Sequence, residues 1–405
     1  MNILFVHQNF PGQFPHLSAA LQARGHDVRA LTVESNKRPS PVPVLKYRYK
    51  TPQLDPQQIR FGKTFTETAL RGEVVARAAS QMEAKTGFVP DVVFSHLGWG
   101  EGLFLRSVWP AARHLTYAEF FYRSTGRDTN FDPEFTTADV MKDAHVVART
   151  AHLLLAMEQA DKALAPTVWQ KSVFPDELQP KISVIHDGVD TQVAAPKKNE
   201  ELTLPDGHVI RDGDEVLSYS VRNLEPYRGY HIFMRALPAV MAARPQAHVV
   251  IVGGDGVSYG AHPPAGTTWK QRFLDEVAGE LDLSRVHFAG WLAHADLLRL
   301  FRITRAHAYL SYPFVLSWSM IEALSCGALV VGSATPPVME VIEHGQNGLL
   351  VDFFDLGAWS TALTEALAHP DSFAAVKRAA RQTVLERYDL TRICLPKLID
   401  FVERA

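Results

Sequence analysis

Residues 308–332 read AYLSYPFVLSWSMIEALSCGALVVG. Two short apolar runs, at residues 308–311 and 329–332, are typical of β-strands, and the residues between them are numerous enough for a turn and a helix. A strand, a helix and a second strand in this order form the crossover unit that joins parallel strands. This stretch therefore predicts an α/β fold built on parallel sheet.

The same alternation extends through the rest of the chain. Helices are predicted at residues 15–24 and 141–161, and residues 374–405 are predicted to be helical with a break near Tyr388. The predicted strands lie at residues 3–6, 28–33, 92–95, 114–119, 163–165, 182–185, 216–221, 249–252, 286–289, 308–311, 329–332 and 349–351. The pattern predicts two doubly wound parallel-sheet domains, Rossmann-like, that face a cleft.

The alternation pauses at residues 191–214, which places the domain boundary. Residues 196–201 are rich in charge, and Pro205-Asp206-Gly207 is a turn signal. The predicted domains are residues 1–190 and residues 191–385, and residues 386–405 are predicted to form a C-terminal helix that crosses back to the first domain.

The composition excludes several classes of protein. Of the 405 residues, 46% are hydrophobic and 21% are charged, which is typical of a globular chain and not of a disordered one. The 41 basic and 44 acidic residues give a net charge of −3, so the chain has no bulk positive field for nucleic acid. Cys326 and Cys394 are the two cysteines, too few for a disulfide framework or a four-cysteine zinc site.

The expected compartment is the cytoplasm. Residues 1–7 have no basic segment and only four consecutive apolar residues, so they are not predicted to be a secretory signal. No uncharged apolar run approaches the roughly 18–20 residues that a membrane-spanning helix needs. Oligomeric state and peripheral membrane contact stay open.

Polar residues follow predicted strands of the first domain, where ligands of open parallel sheets bind. Asn9 and Gly12 lie in the loop after the first strand, and Gly12 allows close approach of the backbone to a ligand. His96 could act as an acid or base, or bind a sugar hydroxyl, or be structural. Glu119 is flanked by aromatic residues, a setting that can raise the pKa of a carboxyl group. The alternative to a functional role is a structural pairing of Glu119 with Arg123.

Two arginines follow the first predicted strand of the second domain. Arg222 and Arg228 flank a proline-containing turn before a helix, a pattern that suits a diphosphate clamp, with surface salt bridges to Glu225 as the alternative. The glycine-rich residues 253–260 have the wrong spacing for a dinucleotide fingerprint, and we reject a nicotinamide site there.

Residues 312–327 and the motifs that follow them give the pattern a more specific meaning. Together with Glu340, Gly345 and Leu349 to Val351, they resemble the C-terminal signature of the family 4 glycosyltransferases, retaining enzymes of the GT-B fold. Further matches, in the order of the family, lie at residues 11–12, 24–28, 91–93, 184–190, 222–229 and 286–290.

The resemblance implies a nucleoside diphosphate sugar as donor substrate, no further cofactor and no metal. The first domain would then lie on the acceptor side and the second would hold the donor. Glu322 matches the glutamate that binds the ribose hydroxyls, and Arg222 matches the diphosphate arginine. Arg228 stands where a lysine is usual. The other implied donor contacts are Gly12, Gly290, Leu292 and the backbone amides of Ser317, Trp318 and Ser319.

Two positions depart from the family pattern. Eight residues before Glu322, where the family has a second glutamate, the chain has Phe314. Glu119 stands where many members carry a histidine that contacts the donor sugar. A carboxylate at Glu119 could replace the contact that Phe314 cannot make. His96, Glu119 and Asn9 are the acceptor-side candidates, and Arg222, Arg228 and Glu119 the catalytic ones.

The expected function is metal-independent transfer of a hexose-like sugar, with retention, to a glycan, a lipid-linked or a small-molecule acceptor in polysaccharide, glycolipid or secondary-metabolite synthesis. Phe314 keeps two alternatives open, a degenerate protein that binds nucleotide or glycan without transfer and a coupling enzyme that joins cyclitols. A nucleotide-sugar epimerase of related fold is a third.

Overall fold

The computed structural model describes residues 1–55, 59–136 and 139–404. The chain separates into two units, one formed by residues 1–188 and 391–405 and the other by residues 189–390. Within the described residues, each unit is built on one parallel sheet, of seven strands in the first and six in the second.

The first unit alternates strands and helices. Its strands are β1 (Asn2–Val6), β2 (Asp27–Val33), β3 (Val44–Tyr47), β4 (Val92–His96), β5 (Arg113–Tyr117), β6 (Lys162–Ala165) and β7 (Ile182–Val184). Its helices up to residue 188 are α1 (Pro15–Ala23), α2 (Lys63–Thr86), α3 (Leu105–Val108), α4 (Val140–Ala148), α5 (Ala151–Gln159) and α6 (Val168–Ser172). The sheet order is β3-β2-β1-β4-β5-β6-β7.

The central strands of this sheet are apolar on both faces, since helices cover both. Ile3 and Phe5 of β1 pack in one cluster with Leu17 and Leu21 of α1, while Leu4 and Val6 pack in another with α2. Successive residues of a strand point to opposite faces, so a continuous apolar run fills both layers. The carboxyl ends of β1, β4 and β5 are neighbours at one edge of the sheet.

The second unit repeats this plan. Its strands are β8 (Glu201–Thr203), β9 (Val209–Arg211), β10 (Val216–Asn223), β11 (His248–Gly254), β12 (Val286–Gly290), β13 (Ala306–Tyr309), β14 (Leu329–Ser333) and β15 (Leu349–Val351). Its helices are α7 (Tyr230–Ala243), α8 (Trp269–Val277), α9 (His294–Ile303), α10 (Trp318–Cys326), α11 (Pro336–Met339), α12 (Leu356–Ala368) and α13 (Ala374–Arg387). The parallel sheet has the order β12-β11-β10-β13-β14-β15, and β8 pairs with β9 in an antiparallel hairpin.

After α13 the chain returns to the first unit. A π-helical turn at Leu390–Cys394 leads into α14 (Leu395–Arg404). Leu398, Phe401 and Val402 of α14 join the apolar cluster that contains Ile3 and Phe5. Glu403 receives hydrogen bonds from the Arg24 guanidinium at 2.8 and 3.0 Å, which ties the end of α14 to the end of α1.

One prediction of local structure is wrong. The single helix predicted at residues 141–161 is two helices, α4 and α5, because Thr150 donates both its amide and its hydroxyl to the carbonyl of Val147, which closes the first helix. The predicted pause at residues 191–214 contains the β8–β9 hairpin, and the predicted turn is its loop, where Gly207 has φ +88° and bonds to Leu204.

No helix in the described part of the chain combines the length and the apolarity that spanning a bilayer requires.

Candidate functional site

The carboxyl ends of β10, β11, β12 and β13 lie side by side in the second unit, and the predicted donor-binding residues follow them. β10 lies between β11 and β13, and β12 pairs with β11. Arg222 is exposed near the end of β10. Its carbonyl accepts a hydrogen bond of 2.9 Å from the indole nitrogen of Trp291.

Arg228 has a different environment from Arg222, since only 6% of it is exposed. Its Nη1 donates to the hydroxyl of Ser311 at 2.7 Å and to the carbonyl of Val315 at 3.0 Å. The guanidinium also lies over the rings of Tyr259 and Phe314, at 5.2 and 5.7 Å. Arg228 therefore holds the loop between β13 and α10 in place.

Phe314 is buried among aromatic rings. Its ring centroid lies 5.0 Å from those of Tyr227 and Tyr259. The position where the resemblance leads one to expect a carboxylate is therefore part of an apolar cluster with one guanidinium at its border.

Glu225, which the sequence analysis treated only as a salt-bridge partner of the arginines, is fully buried. Its carboxylate accepts hydrogen bonds from the backbone amides of Ser258, Tyr259 and Gly260, at 3.1, 3.2 and 3.0 Å. A carboxylate suits three converging amides because it only accepts. Glu225 thus fixes the glycine-rich loop after β11.

The residues predicted to form an amide cradle, Ser317, Trp318 and Ser319, lie at the start of α10. Ser317 caps the helix, and its amide donates to the Tyr309 hydroxyl at 2.8 Å. The first-turn amides of a helix, which lack intrahelical partners, favour an anion. Trp318 is exposed, and Ser319 donates its amide to the Ser317 hydroxyl at 3.3 Å.

Glu322 lies one turn further along α10. Its Oε1 is 2.7 Å from Nε2 of His294, the first residue of α9. This hydrogen bond raises the pKa of His294 above its usual value, against the opposing effect of burial. His294 was not predicted from the sequence. The pattern that could have found it is a polar residue at the start of the helix that follows the predicted base-contacting segment.

The segment after β12 connects these groups. Gly290 ends the strand with φ +59°, the Trp291 side chain is 74% exposed, and Leu292 packs against the apolar cluster around Val250. Through Trp291 and His294 this segment is hydrogen-bonded to both Arg222 and Glu322. The structure therefore brings the predicted residues Arg222, Gly290 and Glu322 to one edge of the sheet.

The first unit collects its predicted residues at the equivalent edge. In the loop after β1, the amide of Asn9 donates to Nδ1 of His7 at 2.9 Å, and Gly12 faces the His7 ring. Burial, with smaller contributions from the neighbouring His96 and Arg38, lowers the pKa of His7 to about 3. The His7 imidazole is therefore neutral and acts as an acceptor.

His96 and Glu119 follow β4 and β5. Nε2 of His96 lies 3.6 Å from Oε2 of Glu119, and the other carboxylate oxygen accepts from the Gln13 amide group at 3.3 Å. His96 is only 1% exposed, whereas about a third of the Glu119 side chain is accessible. Arg123, the predicted alternative partner of Glu119, donates to the Val173 carbonyl at 3.4 Å.

A buried glutamate behind this edge was not predicted. Glu101 accepts from the amide of Gln8 at 2.9 Å and from the Tyr47 hydroxyl, and burial raises its pKa. Arg71 donates to the side chain of Gln8 at 2.5 Å. This network fixes the start of the loop that carries Asn9 and Gly12.

Comparison with known proteins assigns the family. Residues 24–194 match the family described as "Glycosyl transferase family 4 group", and residues 206–383 match "Glycosyl transferases group 1". The chain is 29% identical over 203 residues to D-inositol 3-phosphate glycosyltransferase of Mycolicibacterium smegmatis, a match that covers 50% of this chain and 43% of the relative. The enzyme of that name from Rhodococcus jostii is 28% identical over 172 residues, 42% of this chain and 36% of the relative. These matches span less than half the length of either relative.

Solved structures share the fold. Sucrose-phosphate synthase from Thermosynechococcus elongatus superposes with a TM-score of 0.70 at 18% identity, over 98% of this chain and 97% of that one. HepE of Anabaena in complex with UDP-glucose gives 0.64 at 16% identity, over 100% and 98%. These similarities confirm the predicted GT-B fold. Because the two family matches together span most of the sequence, the chain belongs to the family 4 glycosyltransferases.

Proposed function

We propose that this protein is a retaining hexosyltransferase that moves a hexose-like sugar from a nucleoside diphosphate sugar to an acceptor hydroxyl without a metal ion. The observation that carries the proposal is the pair of hydrogen bonds from Trp291 to Arg222 and from His294 to Glu322. They place the backbone of Arg222, the Glu322 carboxylate and the segment that connects them along one sheet edge, next to a helix N-terminus.

Each part of this edge suits one part of the donor. The exposed guanidinium of Arg222 would bind the diphosphate, and the positive end of the α10 dipole would favour its charge. Glu322 keeps its second oxygen for the ribose hydroxyls while His294 holds the first. Fixed positive groups at the leaving diphosphate would stabilise the charge that develops there, which is the task a metal ion performs elsewhere.

In the reaction we propose, the bond from the anomeric carbon to the diphosphate oxygen breaks and a bond to the acceptor oxygen forms on the same face of the sugar. The acceptor proton passes to the departing phosphate oxygen, so no side-chain nucleophile is needed. Asn9, His96 and Glu119 are the proposed acceptor-side residues. The support for them is that the loops after β1, β4 and β5 place them at one edge of the first sheet.

The comparisons suggest the first compounds to test. A structural neighbour binds UDP-glucose, and the curated relatives are named for D-inositol 3-phosphate. We therefore propose UDP-sugars as the first donors and a phosphorylated cyclitol as the first acceptor, followed by glycan and lipid-linked acceptors.

The testing experiment is titration calorimetry of the full chain with UDP, GDP, ADP and TDP. We expect saturable binding of one nucleotide, weakened at least about 10-fold by Arg222→Ala and by Glu322→Gln, since each removes a hydrogen bond to a charged group. Arg378→Ala is the matched control, because Arg378 is an exposed arginine of α13 in the same unit. Absence of binding by folded protein would refute the proposed donor site.

Transfer is measured separately, by release of the nucleotide in the presence and absence of acceptor, with the anomeric configuration of the product read by NMR.

Phe314 favours a second candidate, a protein that binds nucleotide without transfer, because an apolar ring cluster replaces a carboxylate at the expected sugar contact. Nucleotide binding of ordinary affinity without turnover on any acceptor would support that second candidate.

A further inference from the structure

Three histidines meet at the amino end of the second sheet, the edge opposite Arg222 and Glu322. His248 is the first residue of β11 and His287 the second of β12, while His208 lies in the loop of the β8–β9 hairpin. One ring nitrogen from each lies within 4.8 Å of the others. The proposed glycosyl transfer uses none of the three.

Two of the rings meet through their nitrogens and the third is stacked over them. Nδ1 of His248 lies 2.9 Å from Nε2 of His287, so a single proton occupies the line between two nitrogens. The His208 ring stacks over both, with centroids 4.3 Å from His248 and 4.5 Å from His287. Packing of the hairpin loop against the sheet does not by itself require three neighbouring imidazoles.

A carboxylate orients the most buried of the three rings. Nδ1 of His287 lies 2.6 Å from Oδ2 of Asp206, which is a turn residue of the same hairpin loop. An acceptor at Nδ1 places the ring proton there and leaves a lone pair on Nε2, the nitrogen that faces His248. A carboxylate on the far nitrogen of an imidazole is the usual second-shell partner of a metal-binding histidine.

We propose that His208, His248 and His287 bind one divalent transition-metal ion of the Zn²⁺ class, with Asp206 orienting His287. Three imidazole nitrogens suit Zn²⁺, Cu²⁺ and Ni²⁺, whereas Mg²⁺ and Ca²⁺ prefer oxygen ligands. The ion takes the place of the proton between His248 and His287, and that proton moves to Nε2 of His248, so both imidazoles stay neutral. Nitrogen-to-zinc distances of about 2.0–2.1 Å require the nitrogens of His248 and His287 to separate by under about 1 Å. The stacked His208 ring must turn so that one of its nitrogens points at the ion.

The expected role of the ion is structural. His208 and Asp206 belong to the hairpin, and His248 and His287 to the sheet, so one ion would fasten the hairpin to the ends of β11 and β12. His208 and His248 are half-buried, which leaves a path for the ion from solvent. This site is independent of the proposed transfer, and its failure would leave that proposal standing.

The experiment uses untagged full-length protein, stripped with a chelator and titrated with Zn²⁺ by calorimetry. We expect one ion per chain and a rise in the melting temperature on saturation, because the ion binds the folded state. Co²⁺ added in place of Zn²⁺ should give the visible absorption of a nitrogen-ligated ion. Asp206→Ala should weaken Zn²⁺ binding about 10- to 100-fold, as second-shell changes do.

His208→Ala and His287→Ala should abolish both the binding and the thermal shift, and His262→Ala, an exposed histidine of the same unit, should change neither. If His287→Ala does not fold, His208→Ala decides, since its ring lies in a hairpin loop at the surface. No saturable binding by the folded wild-type protein, or equal binding by His208→Ala and the wild type, would overturn the proposal.

Discussion

His294 and Glu322 form a hydrogen bond between the start of α9 and the middle of α10, with Nε2 of His294 2.7 Å from Oε1 of Glu322. The His294 side chain is 61% exposed and that of Glu322 16%. The imidazole therefore covers one carboxylate oxygen from the solvent side. The Glu322 carboxylate is held in one orientation before any nucleotide binds, which reduces the ordering that binding would cost.

This pair predicts that part of the free energy of unfolding depends on pH. The hydrogen bond that His294 donates to Glu322 raises the folded-state pKa of His294 above its usual value, so the contribution is complete below about pH 6.5 and is lost as pH rises through the raised pKa. Because His294 is largely exposed, we expect less than about 1 kcal/mol. The measurement is the melting temperature of wild type and His294→Ala across this range.

The difference between the two proteins should be larger at acid than at alkaline pH. His262→Ala serves as the control, since His262 is an exposed histidine outside this pair, and its difference from wild type should be flat. A His294→Ala effect of the same size at every pH would contradict a charge-assisted pair.

The two arginines after β10 should respond differently to the same substitution. Arg222 is exposed, so Arg222→Ala should change the free energy of unfolding by no more than about 0.5 kcal/mol while it weakens nucleotide binding. Arg228→Ala should lower that free energy by more than about 2 kcal/mol, because buried Ser311 and half-buried Val315 lose their donor. Calorimetric unfolding and nucleotide titration of both variants separate the roles.

An unfolding cost at Arg222 equal to that at Arg228 would contradict this division. Arg228→Lys refines it, since a lysine keeps the charge but not the planar guanidinium whose Nη1 donates to both acceptors. We expect Arg228→Lys to recover only part of the lost stability.

Glu225→Gln should destabilise the second unit although it changes only one oxygen. The carboxylate accepts three backbone amides, and a glutamine presents an NH₂ group to one side of that cluster. We expect a loss of about 1.5–3 kcal/mol, the size of a hydrogen bond to a charged group, read as a lower melting temperature. Glu280→Gln, at an exposed residue, is the control and should have no effect.

Short apolar runs that alternate with helical segments were sufficient to predict the twelve strands that form most of both sheets. A parallel strand that is buried on both faces is a continuous apolar run. It was not sufficient for β3, or for the β8–β9 hairpin, whose strands alternate between exposed and buried residues within a charged stretch. Short strands of this kind owe their pairing to tertiary contacts.

The donor-side residues were predictable as a set but not in their individual environments. Arg222, Glu225 and Arg228 lie within seven residues of each other, all charged, yet the first is exposed and the other two are buried. Their burial depends on Ser258 to Gly260 and on Ser311 to Val315, far away in the sequence. No local pattern carries that information.

Gly12→Ala should destabilise the loop after β1 by more than the backbone strain of the substitution alone. Gly12 has φ +53°, and a Cβ there would lie 2.8 Å from Cε1 and Nε2 of the buried His7 ring. That ring has little room to move, since it packs against the His96 ring in a T-shaped contact with centroids 5.3 Å apart.

Gly25→Ala is the matched control, because Gly25 has φ +89° with open space around it. We expect Gly25→Ala to cost about 1–2 kcal/mol, the left-handed backbone term, and Gly12→Ala to cost more. Equal melting temperatures of the two variants would show that the His7 ring yields without cost.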